Sequence, residues 1–507
     1  MDLRIVNGEV VDPAAGAMSE NKTVHVSGGK IAPASAQNAE VINAAGCVVM
    51  PGGVDIHTHI AGPLFTAAMT AQTGSPPTPD EINERLRKTG VDYLLMGYTT
   101  VVEPAAPLAF AMQAHGHLAR IPVLDKAMLV QAVLNEPVLR LIEKRDIARL
   151  SKILGWMVES SKSLSIKLTD PAADFKISPV EIIVSMADAV RRLGLPHPLH
   201  VHLNDLGAAA GHTAAVETVK ALAGIPAHIA HLQFHCHGGS GGTPRSEAGR
   251  VAEAVNKNPN VTFDAGHIVF GPTVTVTSDS TFGPKLARIT GKSAVEQGTG
   301  LGGGCFAQRY EYKASSLVNS MQWACGLELM LLAEDPWRAF LSTDHPNGGS
   351  FTSYPYIIRL LMDESFRKHE TGKINPRGLA LTSLPSIRRE YSLGEIAVIT
   401  RSGPARRLGL DNKGSLAAGA DADIAIYRKD GDYEKMFTKA EWVIKAGLVV
   451  VRNGAVVDSP PGKTFYAPPL ESFAEIPAEF ASYPELADRE RFPVTAGMLP
   501  WGKPVGG

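Results

Sequence analysis

Eight short apolar runs, spaced along most of the chain and separated by helical patterns, constrain the fold more than any other feature. They are Val54–His59, Thr99–Pro104, Pro122–Val130, Ser165–Asp170, Leu199–Asn204, His228–Phe234, Val261–Gly266 and Ala339–His345. Strand-like runs that alternate with helices imply parallel strands, because each crossover returns the chain to the same end of the sheet. Segments such as Glu181–Leu195 and Thr213–Ala223 carry apolar residues at helical spacing and stop near Gly or Pro. Eight such units predict an α/β fold of the (β/α)8 TIM-like barrel type rather than an open sheet.

A length of 507 residues leaves room for a second, smaller unit. Asn7-Gly8 lies between Leu3–Val6 and Glu9–Val11, and Asn453-Gly454 lies between Val450–Arg452 and Ala455–Val457. Asn-Gly suits the type I′ turn, so each phrase predicts a β-hairpin. The two termini are therefore expected to form one small β-sandwich from residues 1–50 and 396–465, with the barrel over 51–395 inserted between them. The proline-rich stretch that begins near Pro460 and makes up the tail over 466–507 is expected to run extended along a surface rather than form a core. The connection between Gly266 and Ala339 is about seventy residues, far beyond an ordinary loop, and is expected to carry a lid, a substrate site or a partner surface. It includes the glycine-rich Gly298–Gly304 and a predicted amphipathic helix over Ser315–Leu332.

A net charge of −2 with no long run of one sign excludes the electrostatic footprint of a nucleic-acid or anionic-membrane partner. The first residues lack a signal-peptide layout, and no apolar stretch reaches membrane-spanning length. The four cysteines, Cys47, Cys236, Cys305 and Cys325, form no CxxC pair. That excludes an iron–sulfur cluster or disulfide framework within this chain and suits a cytoplasmic protein. With no dinucleotide fingerprint either, no redox centre is expected within this chain.

Barrels place their active sites at the C-terminal ends of the strands. Metal-competent side chains collect at those ends: His57 and His59 on the first run, Lys167 on the fourth, His200 and His202 on the fifth, His231 on the sixth and Asp344 on the eighth. On a strand, residues i and i+2 share a face, so His57-Thr58-His59 directs both imidazoles to one side. Neutral imidazoles and a carboxylate suit a Zn-type site. Lys167 is the informative member, because an ammonium cannot ligate a cation. Addition of CO2 to its neutral amine gives an anionic carbamate able to bridge two metal ions.

This array, strand-borne HxH followed by Lys, His, His and Asp, resembles the binuclear branch of the metal-dependent amidohydrolase superfamily. Gly414–Ile424 is similar to the segment these enzymes carry after the barrel. More narrowly, Pro51–Pro63, Asn204–Gly207, His231–His235, Gln322–Leu329 and Ser342–Gly349 resemble the family of the formylmethanofuran dehydrogenase A-subunits. Within that family the likeness is to the hydrolase subunit of bacterial formyltransferase/hydrolase complexes. The resemblance implies His57, His59, His202, His231 and Asp344 as ligands of two divalent metal ions, with Lys167 N6-carboxylated; of the two histidines on the fifth run it selects His202. It implies hydrolysis of an N-formyl amide to formate and a free amine, with Asp344 placed for general acid–base work beside the metals. His235, on the loop after the sixth run, is itself expected to orient substrate or stabilise the oxyanion. Expected partners are a formylated amine carrier of the methanofuran or methylofuran type and other subunits including a formyltransferase. The competing expectations are a cyclic-amide hydrolase of the hydantoinase or dihydroorotase kind, which shares every ligand, and a non-catalytic scaffold subunit.

Overall fold

The computed structural model describes residues 2–506 apart from 172–176, 205, 208–209, 241–242, 279–281, 293, 301–302, 471–475, 484–485 and 487–491. Asp205, Gly302 and part of the proline-rich tail, all singled out in the sequence, lie outside the described residues.

All eight expected barrel strands form: β1 (Gly53–Asp55), β2 (Tyr98–Ala106), β3 (Asp125–Gln131), β4 (Ser165–Thr169), β5 (Leu199–His202), β6 (Ala227–Ile229), β7 (Val261–Asp264) and β8 (Ala339–Phe340). Each pairs in parallel with its successor in sequence. A parallel bridge between Thr58 and His345 brings the first strand against the last. Helix boundaries follow local chemistry. Ser178 caps the helix Pro179–Leu193 in a reciprocal pair with Glu181, Pro179 opens it, and Gly194 ends it in the left-handed conformation. No helix among the described residues is long and apolar enough to cross a membrane.

The termini build two further sheets, one of four strands from the N-terminal segment and one of seven strands drawn from both ends of the chain. Leu3, Ile5, Val10, Val49, Ile424, Ile426 and Ile444 share the core between them. The second Asn-Gly phrase is a hairpin: Leu448–Arg452 pairs antiparallel with Ala455–Val456. The first is not. Leu3–Val6 pairs with Val24–Ser27 and Glu40–Asn43, whereas Glu9–Asp12 belongs to the other sheet and pairs in parallel with Cys47–Pro51. Asn7 takes a positive φ but Gly8 does not, so the chain turns here without the type I′ geometry, at a corner that carries it between layers. Apolar residues on both flanking strands can then enter one core, a gain a two-stranded ribbon does not offer.

The tail also departs from expectation at its start. Thr464–Tyr466 pairs in parallel with β3 at Lys126, and Phe465 joins a buried cluster with Val54, Leu129 and Phe340. Gly462 allows this insertion, because a Cβ there would lie 1.8 Å from the Leu124 carbonyl oxygen. Beside it, at the N-terminal end of the barrel, two buried lysines meet three aspartates. Lys445 Nζ lies 2.7 Å from both Asp125 and Asp423, and Lys413 Nζ lies 2.7 Å from Asp423 and 2.8 Å from Asp421 while also touching Asp125. The backbone N–H of Lys463 donates to Asp125 at 2.7 Å, so this network ties the tail, the barrel and the terminal sheets together.

The long connection forms a roof over the other end of the barrel. Gly271–Thr277, Val295–Gly300 and Gly303–Tyr312 make an antiparallel sheet, against which the helix α1 (Gly62–Thr73) packs. The helix after it, Leu317–Leu332, buries most of its circumference rather than one face.

Candidate active site

At the C-terminal end of the barrel lies a chamber of ≈ 50 Å³, lined by His59, Lys167, His202, His231 and Asp344 and roofed by Thr275–Ser278 and Tyr312. A larger groove of ≈ 520 Å³ shares His59 and runs outward past Phe65, Tyr310 and Arg309. His57 lies just beneath the chamber. Its Nε2 is 2.9 Å from Asp344 Oδ1, and His59 Nε2 is 3.3 Å from the same oxygen. The His202 and His231 rings are 4.6 Å apart between centroids. Ligand atoms of His57, His231 and Asp344 all lie within 4.8 Å of one another. The structure thus brings together all six residues picked from the strand ends, and every one is buried.

His200 and His202 share the inward face of β5 at different depths. His202 reaches the chamber, whereas His200 sits a layer below and approaches His57 Nδ1 at 3.0 Å. His235 is fully buried on the turn after β6, and its neighbour Phe234 occupies the chamber wall instead. Contact with the reacting atoms, expected for His235, does not fit this placement.

Several residues escaped the sequence reading. Glu103 on β2 approaches His59 Nδ1 at 3.1 Å with one oxygen and accepts the N–H groups of Ile60 and Ala61 with the other. Asp264, the last residue of β7, takes His57 Nδ1 and His228 Nε2 at 3.1 Å each, and the His231 N–H at 2.9 Å. The two HxH imidazoles are therefore each held at Nδ1 by a buried carboxylate, which leaves Nε2 facing Asp344. Asn347 donates to Asp344 Oδ2 at 3.0 Å and accepts the Val276 N–H, joining the carboxylate to the roof. The signal was present for the two acids: each is a lone carboxylate at the C-terminal end of an otherwise apolar run, where burial without a partner is costly.

The backbone is also shaped for the site. His231 and Asp344 have φ of 35° and 50°, the left-handed region that side chains other than glycine rarely occupy. Gly266 admits His231, since a Cβ there would lie 2.2 Å from the His231 Cβ.

Electrostatics follow from burial and proximity. Burial pushes the Asp344 carboxyl up, but His231 and His57 outweigh it and hold the group well below the usual carboxylate range. Burial likewise opposes ionisation of Asp264, and His57 and His228 reverse the effect. Burial lowers the Lys167 ammonium to about 8, against the opposing pull of Asp344 and Asp264. Burial lowers His59 as well, yet Asp344 and Glu103 raise it to about 9.

This donor set passes a simple test for a cation. Among the described residues, His57 Nε2, His231 Nδ1 and Asp344 Oδ1 are buried with no hydrogen-bond partner, although buried polar atoms normally have one. The close approach of His57 Nε2 to Asp344 Oδ1 lacks hydrogen-bond geometry. Imidazole nitrogens and a carboxylate oxygen aimed at common space are what a divalent metal requires.

A parallel barrel with histidines and an aspartate at the C-terminal strand ends defines the class of metal-dependent hydrolases built on this scaffold. The chain belongs to the amidohydrolase family, whose pattern it matches over residues 40–457. It is 39% identical to the Fhc A-subunit of the formyltransferase/hydrolase complex of Methylorubrum extorquens, over 91% of this chain and 90% of that protein. Identity to protein FwdA of Methanocaldococcus jannaschii is 35%, over 92% and 91%. Among solved structures, it superposes on a chain of the formyltransferase/hydrolase complex FhcABCD from M. extorquens, crystallised with methylofuran. The TM-score is 0.90 at 35% identity, with all of both chains covered. The family expected from the motifs is the family found.

Proposed function

We propose that this protein hydrolyses an N-formyl amide, on a carrier of the methanofuran or methylofuran type, to formate and the free amine. It does so as the hydrolase subunit of a cytoplasmic one-carbon complex whose formyltransferase subunit loads the carrier. The observation that carries the reading is the meeting of six side chains from five strands, five lining one small chamber and His57 against Asp344 just beneath it, in a chain similar over 91% of its length to the Fhc A-subunit. The narrowness of the chamber beside the wider groove supports a one-carbon acyl group as the part that enters, with the amine carrier lying outside.

In this reading His57, His59, His202, His231, Asp344 and carboxylated Lys167 hold two divalent ions, with zinc favoured by the histidine-rich set. Bound there, the ions supply Lewis acidity, which lowers the pKa of water and polarises a carbonyl. Carboxylation joins the Lys167 amine to CO2 with loss of one proton, and burial favours the neutral amine that this step needs. Asp344, ionised at neutral pH, takes the proton of the attacking water and delivers it to the leaving amine. Glu103 and Asp264 fix the two HxH rings, and Asn347 fixes the Asp344 carboxylate. The roof strands and Tyr312 exclude bulk water from the chamber.

The test is turnover by the purified, zinc-loaded protein of an N-formyl derivative of a furan-linked primary amine, beside dihydroorotate and a hydantoin. Formate release from the first alone is the expected result; turnover of the cyclic amides alone places the protein with the hydantoinase kind. A protein that binds two metals per chain and turns over none of them in its complex is the scaffold of the third expectation.

A further inference from the structure

Below the chamber the barrel interior holds a file of imidazoles where such barrels usually pack branched apolar side chains. His57 Nδ1 lies 3.0 Å from His200 Nε2, His200 Nδ1 lies 3.1 Å from His197 Nε2, and His197 Nδ1 lies 3.0 Å from the carbonyl oxygen of Arg407. All three rings are completely buried, and burial disfavours the charged forms of His197 and His200. A neutral imidazole has one donor and one acceptor nitrogen. The Arg407 carbonyl can only accept, so His197 carries its proton on Nδ1 and accepts at Nε2. His200 must then donate from Nδ1 and accept at Nε2, and His57 must donate from Nδ1. The direction of every link is dictated from the bottom of the file. Asp264 reinforces the last link, since His57 Nδ1 is also 3.1 Å from its carboxylate.

We infer that His197 and His200 are positioning residues for the candidate metal centre. Through an ordered hydrogen-bond chain anchored on Arg407, they hold His57 in the tautomer whose Nε2 lone pair faces the chamber. The inference rests on the metal-centre reading above and adds to it a distal control on one ligand. His59 has no such file: its Nδ1 is held by Glu103. A break at His197 therefore weakens the metal site at His57 and leaves the His59 contact in place. His197 touches neither the chamber nor the groove, so any effect of its loss on metal must travel through His200.

The experiment measures zinc affinity of the full chain by chelator competition, together with the visible absorption of the cobalt-substituted protein. His197→Phe fills the space of the ring but cannot link Arg407 to His200, whereas His197→Gln retains a donor and an acceptor. The expected result is about tenfold weaker zinc binding and an altered cobalt spectrum for His197→Phe, both restored by His197→Gln. Unchanged zinc affinity and spectrum in folded His197→Phe overturn the inference and leave the metal centre standing. A wild-type protein that takes up no divalent ion overturns the functional reading itself, and the inference with it. A further measurement needs no substitution. In the zinc-loaded wild type, long-range proton–nitrogen correlation of labelled histidines should place the His197 and His200 protons on Nδ1. Either proton found on Nε2 breaks the chain.

Discussion

The two ends of the barrel hold buried ionisable clusters of opposite character. At the N-terminal end, Lys413 and Lys445 are surrounded by Asp125, Asp421 and Asp423 at hydrogen-bonding distance, and the remaining carboxylate oxygens take backbone N–H groups such as those of Lys463 and Ala446. At the C-terminal end, nitrogens of His57 and His231 and an oxygen of Asp344 are equally buried but lack hydrogen-bond partners among the described residues. A satisfied network repays desolvation internally and ties elements together. An unsatisfied one carries a cost that a bound cation can remove. The same residue types thus serve cohesion at the floor and chemistry at the mouth, and the difference lies in whether the protein completes the set.

Substitutions at each end should separate these roles. The largest effect is expected from Asp344→Asn, which should lower formyl-amide turnover by about 10²–10⁴-fold while the thermal midpoint of the metal-free protein barely moves. Turnover that stays normal with metal retained removes Asp344 from the chemistry. Lys413→Ala should do the reverse. Removing the one lysine that contacts Asp125, Asp421 and Asp423 together, with Lys445 and Lys30 left to them, should cost about 3–5 kcal/mol in denaturant unfolding, with metal stoichiometry of the folded fraction unchanged. Lys167→Ala should reduce two bound metals per chain to at most one by elemental analysis, and two metals with full activity would disprove the carbamate. Glu103→Gln should weaken zinc by about 10–100-fold through loss of the His59 anchor, measurable by chelator competition.

The last comparison needs no substitution: pH carries opposite information at the two ends. His59 is raised to about 9, so at neutral pH the metal-free ring is protonated and a metal must displace that proton. Zinc affinity should therefore fall on acidification by about tenfold per pH unit for each proton displaced. At the floor, Lys413 and Lys30 overcome the burial of Asp421 and hold its carboxyl down to about 2. Its contribution to stability is complete above the ordinary carboxylate pKa of about 3.9 and is lost as pH falls toward 2. Between pH 8 and 5 metal binding should weaken while this floor contribution stays constant. Parallel loss of both would refute the distinction.

Much of the barrel was legible because it is periodic. Every expected strand appeared, since apolar runs of four to eight residues bounded by turn residues leave few other structures possible. All six site residues lie inside runs that the eye already picks out; in the structure five lie at or beyond the C-terminal ends of the strands those runs form, and Lys167 lies inside one. The Asn7-Gly8 turn was read correctly as a turn and wrongly as a hairpin, because the turn fixes local backbone but not which sheet receives the next strand. The start of the tail was misjudged for a related reason: Gly462 and Phe465 look like linker residues until the opening beside Leu124 is known.

The amino-acid sequence alone determined the barrel, the family and the residues able to bind a cation, because hydrophobic period and side-chain chemistry are properties of local order along the chain. Only the tertiary structure showed that His200 lies a layer below His202 and against His57, and that Phe234 takes the wall where His235 was expected. It likewise revealed Glu103, Asp264 and Asn347 as the groups that hold the site in place. Those assignments depend on depth within the barrel and on contacts between strands far apart in sequence, and depth is set by strand stagger and closure, which no single run encodes.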